Sequence, residues 1–446
     1  MLPALALVLA LPAANVPERA LVIDIRQASA AEVESYRHAV GANWWIELGD
    51  SLVVSGAAAP LQSLAADAPL LGELETVDRR DLALRAIGCN DEEPAPGRLL
   101  ARGGRWQLRL LPAGSSLPAA RAGHDLWRRV QAGGEVLARQ YRLDAAPRAA
   151  PDPLILPVVQ RIDAARWFAD VSQLATWDRS SYGSSGIAAA RDWLGQQFQQ
   201  LGLAVSQPSF NMSAPSGGTI SRQNVIGRWT GTSLPDEWII VGAHYDSRNA
   251  NGNSVSNTPG AEDNASGCAG VIELARALLP FKPRRSVLFM CYAGEEQGLL
   301  GSAAHVAALS SAGDLAKVKS VVIMDMIGYS ADASLGVLYE SKALYQPFLD
   351  RFAAAAATYV PALDVTLSTN PFGSDHMPYL NAGKETLLAI EADWDVYPHY
   401  HSSADTPANM GVNAQAMGGA ILKTNAAMLA QLSGADDQIF ADGLQP

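Results

Sequence analysis

Residues 238–247 read WIIVGAHYDS, an unbroken apolar run that ends in a histidine and an aspartate. A short, continuous run of β-branched and aromatic residues is what a strand buried on both faces looks like, as in a parallel sheet. Two further runs end the same way. SVLFMCYAGEE (286–296) closes on Glu295 and Glu296, and KSVVIMD (319–325) closes on Asp325. ETLLAIEA (385–392) reads as a fourth strand. GCAGVIELARALL (267–279) reads as a helix that Pro280 stops. Upstream, IAAARDWLGQQFQQLG (187–202) repeats apolar residues at helical spacing and ends on Gly202. Strands separated by helices imply an α/β fold, a mostly parallel central sheet sandwiched by helices.

The chain has 446 residues, which suggests two or three domains at about 150 residues each. The division falls at Pro147, Pro151, Pro153 and Pro157, since proline fixes its own φ and extends the residue before it. We therefore expect a smaller mixed α/β domain over 20–146, a proline-rich linker over 147–157, and the larger domain over 158–436. In the smaller domain ALVIDI (20–25), NWWIEL (43–48) and SLVVSG (51–56) read as strands. Ser29 with Glu32 three residues on has the spacing of a helix-capping box. Residues 2–14, LPALALVLALPAA, have the length and small-residue finish of a signal peptide and are too short for a transmembrane helix. The expected location is secreted or periplasmic, with no membrane span.

The net charge is −12, and the six lysines all lie after position 281, with no basic stripe. Counterion release on a phosphate backbone needs clustered Lys and Arg, so nucleic acid is excluded as a partner. Three cysteines without a CxxC exclude a disulfide-dense scaffold and a four-cysteine zinc site.

The chemistry lies at the strand ends. His244 and Asp246, Glu295 and Glu296, and Asp325 follow three strands of one sheet, and ligands bind outside the carboxyl ends of such strands. Asp263, in GAEDNASG (260–267), and His401, in PHYHSSADT (398–406), complete the set. Each residue alone has an ordinary reading: Asp263 as a helix N-cap, His401 as a surface histidine, paired glutamates as solvated charge. Jointly they are a cluster of carboxylates that apolar surroundings would not tolerate without a cation. Two histidines and three carboxylates (His244, Asp263, Glu296, Asp325 and His401) suit zinc. Five ligands exceed one four-coordinate ion and match two ions that share a carboxylate.

The segments GAHYDS, EDNASG, GEEQGLLGS, VIMDMIGY and YHSSADT, taken in order, resemble the motifs of the co-catalytic zinc aminopeptidases, the bacterial leucyl aminopeptidase and Streptomyces-type relatives. The likeness covers about residues 170–435. It implies two Zn ions bridged by Asp263, with His244 and Asp325 on one and Glu296 and His401 on the other. It implies Glu295 as general base and acid, and Asp246 as the carboxylate that orients His244. It implies peptide or protein substrates with a free N-terminus, and a propeptide role for the smaller domain. His399 competes with His401 for the ligand position, and the family's placement of its histidine directly after tyrosine favours His401. The segment GSDHMPYL, with Asp375 and His376, resembles a family segment near the substrate pocket. A carboxypeptidase and a glutaminyl cyclase on the same fold are the alternatives. A carboxypeptidase needs a group for the terminal carboxylate, often Arg, and Arg248, just after HYDS, is the arginine that stands by these motifs.

Overall fold

A computed structural model describes residues 18–26, 28–86, 95–103, 106–118, 126–143, 149–371 and 373–435. The signal-peptide reading of residues 2–14 lies outside them. Among the described residues no helix is long and apolar enough to cross a membrane. The chain divides into two compact units, the first reaching Arg139 and the second running from Gln140 onward.

The first unit has two sheets. The five-stranded sheet is ordered Leu70–Val77, Glu18–Asp24, Ser51–Ala57, Ala42–Leu48 and Gly133–Ala138. The four-stranded sheet is ordered Arg98–Gly103, Trp106–Leu110, Leu82–Ala86 and Leu126–Arg129. Ser29 caps the helix Ala30–Arg37: its hydroxyl accepts from Glu32 N while the Glu32 carboxylate accepts from Ser29 N.

The second unit is built on a nine-stranded sheet. Its labelled strands are β1 (Val225–Trp229), β2 (Leu234–His244), β3 (Arg285–Tyr292), β4 (Val318–Met324), β5 (Leu335–Glu340), β6 (Leu363–Ser368) and β7 (Glu385–Glu391). Across the sheet they run β6-β5-β7-β4-β2-β3-β1, with Gln140–Tyr141 beside β6 and Ala204–Ser206 beside β1 at the edges. The centre, β3-β2-β4-β7, is parallel, as the buried apolar runs require. The pairs β1/β3 and β5/β7 and both edge strands are antiparallel, so the whole sheet is mixed. Helices α1 (Ser185–Gln200), α2 (Ser266–Leu278), α3 (Leu300–Ala312), α4 (Gln346–Tyr359), α5 (His376–Asn381) and α6 (Ala414–Ser433) accompany it.

Side chains alternate along the strands into two apolar clusters. Ile239, Val241, Val287 and Phe289 join α1, α2 and α6 in one, while Ile240, Leu288, Met290 and Val321 join the other. The chain meets this sheet at Gln140, ahead of the proline-rich stretch, and Pro157 stands in the first turn of the helix Leu156–Gln160. A proline costs nothing there, because the first-turn N–H groups have no helical partner.

Candidate metal centre

The register of the parallel strands delivers the site. His244, the last residue of β2, pairs with Tyr292, the last of β3, so Glu295 and Glu296 follow within the next turn. Asp325 follows β4 directly, its N–H bonded to Ala389 O of β7. Asp263 stands in the loop that enters α2, and His401 in the loop after β7. His401 (φ 49°) and Met326 (φ 50°) both occupy the left-handed backbone region. Non-glycine residues in that region concentrate at functional sites.

All five residues are nearly or fully buried, and they converge. His244 Nε2 lies 3.3 Å from Asp263 Oδ1, 3.4 Å from Asp325 Oδ1 and 3.9 Å from Glu295 Oε2. His401 Nε2 lies 3.1 Å from Asp263 Oδ2 and 3.2 Å from Glu296 Oε2. The groups form two triads, His244–Glu295–Asp325 and Asp263–Glu296–His401, each with its donor atoms within 4.8 Å of one another. Asp263 joins them, one oxygen facing each histidine.

These separations can be tested against a metal. Two ligands at roughly 2.0–2.2 Å from a tetrahedral zinc stand about 3.4 Å apart. The histidine–carboxylate distances of 3.1 to 3.4 Å fit that value. Glu296 Oε1 is buried without a hydrogen-bond partner, an oxygen that a cation would satisfy. The donor set of imidazole nitrogen and carboxylate oxygen is zinc's own.

The electrostatics of the metal-free protein say the same. Burial opposes a charge on His244, yet Asp325 and Glu295 raise its pKa well above the usual imidazole value. Burial likewise opposes a charge on His401, but Glu296 and Asp263 lift it to about 9. Burial would raise Asp263, and hydrogen bonds from both histidines hold it far below the carboxylate range instead. Protons on the imidazoles thus balance the acids where cations otherwise would.

Asp246 differs from the sequence reading in detail. His244 Nδ1 is 3.0 Å from the Asp246 main-chain oxygen and 3.6 Å from its carboxylate, so the carbonyl is the closer acceptor. The Asp246 carboxylate accepts from Ser181 Oγ at 2.9 Å and from Glu295 N at 3.3 Å. It therefore anchors the Glu295 turn as well as the histidine loop. His399 is in neither triad and packs its ring edge-on against Tyr397. Asp375 and His376 are fully buried: burial pushes Asp375 up to about 7, and His376 Nε2 is 3.3 Å from Glu340.

Four residues were missed by sequence reasoning. Ser374 Oγ donates to Asp325 Oδ2 at 2.7 Å, and Ser181 holds Asp246. Asp405 accepts from Glu262 N and Asp263 N, and Arg179 is a fully buried cation bonded to carbonyls near the site. Asp405 and Ser374 lie inside motifs already quoted, YHSSADT and GSDHMPYL. Polarity inside a small-residue motif was the available signal. Arg248 Nε reaches 4.0 Å from Glu296 Oε2.

Residues 224–424 match the model of peptidase family M28. The chain carries a peptidase family M28 domain. The M28 domain accounts for β1 through most of α6, including every residue of both triads. Among curated relatives, a probable zinc metalloprotease of Pyrenophora teres f. teres is 34% identical over 157 residues, 32% of this chain and 33% of that protein. Leucine aminopeptidase 1 of Arthroderma otae is 28% identical over 252 residues, 53% of this chain and 66% of that protein. The chain thus spans about a third of the length of the first of these relatives. Among solved structures, LapB from Legionella pneumophila matches with TM-score 0.54 at 25% identity, covering 64% of this chain and 77% of that one. A glutaminyl cyclase of Bacteroides thetaiotaomicron matches with TM-score 0.50 at 18% identity, covering 60% of this chain and 97% of that one. The fold of the M28 domain therefore does not separate peptidase from cyclase; the residues of the site must.

Proposed function

We propose that this chain is a zinc-dependent exopeptidase that removes N-terminal amino acids from peptides. The observation that carries the reading is Asp263, whose two oxygens face two histidines, each backed by a further carboxylate. That is a site for two cations. His244, Asp263 and Asp325 would hold one zinc, and Asp263, Glu296 and His401 the other. Bound zinc supplies a lowered pKa for water and polarises a carbonyl. The leucine aminopeptidase relative and the M28 match support the peptidase class.

Glu295 is the general base and acid in this reading. It takes the proton of the attacking water and passes it to the departing amine. Glu295 and Glu296 stand in the turn after β3 and face different histidines, Glu295 towards His244 and Glu296 towards His401, so they can serve different tasks. Asp246 holds Glu295 N, and Ser181 fixes Asp246 from the other side. Near-complete burial of the centre strengthens every electrostatic contact to the reacting groups.

The test is release of 4-nitroaniline from a panel of aminoacyl-4-nitroanilides, run beside N-blocked versions, with 1,10-phenanthroline and zinc add-back. Zinc-dependent cleavage of free-amine substrates alone is the expected result. A zinc-loaded protein that cleaves none of them, and instead cyclises an N-terminal glutamine or trims C-termini, overturns the reading. Arg248, beside Glu296 but buried, is the residue the C-terminal outcome would implicate.

We further infer export of the chain, supported by the apolar run at 2–14, with the first unit acting as a propeptide. Mass spectrometry of the active secreted form checks this. A mature amino terminus within the first 30 residues counts against removal.

A further inference from the structure

The loop 259–263 that carries Asp263 is gripped from both sides by buried charges. Arg179, fully buried, donates Nη1 to Pro259 O at 2.5 Å and Nη2 to Gly260 O at 2.6 Å. Its remaining bonds run to Tyr245 O at 2.7 Å and Leu174 O at 2.7 Å. All four acceptors are main-chain carbonyls, and among the described residues Arg179 has no carboxylate ion pair. Asp405, 1% exposed, takes the opposite ends of the next peptide groups. Its Oδ1 accepts from Glu262 N at 2.9 Å, its Oδ2 from Asp263 N at 3.0 Å, and its main-chain oxygen from Ala261 N at 3.0 Å. Tyr397 OH donates to Oδ1 at 2.8 Å and fixes the carboxylate in turn.

A cation thus holds two consecutive carbonyls, and an anion holds the N–H groups of Glu262 and Asp263, with its own main-chain oxygen on Ala261 N. Neutral side chains could satisfy the same bonds. Two buried charges, each costly to desolvate, fix the loop's position far more stiffly. The fit is close: Gly260 has φ 49°, and a Cβ there would meet Asp263 O at 2.4 Å, Ser247 Cβ at 2.4 Å and Arg179 Nη2 at 3.0 Å. Arg179 also bonds the carbonyl next to His244, so one guanidinium ties the His244 strand end to the Asp263 loop. Arg179 precedes α1 and Asp405 follows β7, so no local structural need places them on the same five residues.

We propose that Arg179 and Asp405 are positioning residues that clamp this loop and set where the Asp263 carboxylate stands between the two histidines. The clamp decides whether both metal positions fill together. The inference rests on the two-zinc reading above. Zinc stoichiometry and affinity are measured by chelator competition on the full chain for the wild type, D405N, R179K, R179M and the D405N/R179M double variant. Cobalt(II)-substituted spectra report the ligand geometry. Outer partners of metal ligands contribute roughly 10–100-fold in metal affinity. D405N is isosteric but offers one acceptor oxygen in place of two. It should lose that much affinity at one or both positions, with a shifted cobalt spectrum. R179K, which keeps the charge without the planar fork, should fall between wild type and R179M. Because both residues act on one loop, the double variant should lose less than the product of the single losses.

A folded D405N with two zincs, wild-type affinity and a wild-type cobalt spectrum overturns the clamp, whether or not R179M folds. Strictly multiplicative single effects also overturn it. A wild-type chain that binds no zinc sinks the underlying reading instead.

Discussion

Replacing Glu295 by glutamine isolates the proposed proton carrier from the proposed ligands. The structure makes the distinction quantitative. His244 Nε2 stands 3.3 Å from Asp263 and 3.4 Å from Asp325, close to the roughly 3.4 Å expected of two ligands on a tetrahedral zinc. Glu295 Oε2 stands at 3.9 Å, the longest of the three. Its place at the edge of the site suits a group that acts on a water. Glutamine preserves its shape and cannot take a proton. General acid–base catalysis contributes about 10²–10⁴-fold, or roughly 3–5 kcal/mol of barrier. Glu295 has two proton transfers to perform, so the loss should lie near the upper end.

E295Q should therefore lose about 10⁴-fold in kcat with KM changed by less than about threefold. It should keep two equivalents of zinc by elemental analysis after gel filtration. E296Q should do the reverse, losing zinc and regaining part of its activity in excess metal. Steady-state kinetics on an aminoacyl-4-nitroanilide, with zinc counted on the same samples, decides between them. If E295Q keeps more than about a tenth of wild-type kcat, or sheds a zinc, the assignment of the base is wrong.

Three other outcomes follow from the same contacts. Zinc must displace protons from His244 and His401, whose metal-free pKa values lie well above the usual imidazole value and at about 9. Apparent zinc affinity should thus rise with pH across neutrality, approaching about two protons released per site pair, and a pH-independent affinity in chelator competition would contradict this. His305 is buried against Tyr379 OH at 2.6 Å, and burial pushes its pKa down to about 4. Below the unfolded value near 6.5 the unfolded chain takes a proton that the folded chain refuses, so stability of the metal-free protein should fall by about 3 kcal/mol between about pH 6.5 and 4. Urea unfolding of the wild type against H305Q measures it, and equal acid losses in the two would count against a buried neutral His305. Finally, a Cβ on Gly267 would meet Asn264 Oδ1 at 2.4 Å, Ala243 Cβ at 2.8 Å and Met324 O at 2.8 Å. G267A should cost about 1–3 kcal/mol, seen as a lower melting temperature, and an unchanged melt would show that the backbone there yields.

The central strands were legible because each is an apolar run cut off by a charged residue, and that pattern survives without knowledge of neighbours. The same cut-off exposed His244, Glu295, Glu296 and Asp325. The capping box at Ser29 was legible because it is local. Strand order was not: β1 lies antiparallel beside β3, and β5 beside β7, through pairings set by crossovers that no period records. The linker reading met its limit at Pro157, which the first turn of a helix accepts. Arg179 and Asp405 were invisible for a different reason. On the Asp263 loop their side chains bond main-chain groups 80 to 143 positions away, and a backbone carbonyl or N–H has no signature in sequence.

The sheet order explains why two triads arise and not one. β2 lies between β3 and β4, so Glu295 and Glu296 reach the centre from one flank and Asp325 from the other. The strand ends alone supply one triad, His244, Glu295 and Asp325, with donor atoms within 4.8 Å of one another. Residues from outside the sheet build the second around Glu296: Asp263 from the loop between β2 and α2, facing both histidines, and His401 from the loop after β7, facing Glu296. A single ion would leave one triad of buried acids to be neutralised by protons, as both histidines are in the metal-free protein. Two cations remove that load at both positions. The proposed pairing of metals would thus follow from the placement of the strand ends and from charge balance, and it would bear most heavily on the carboxylate of Asp263, which faces both histidines.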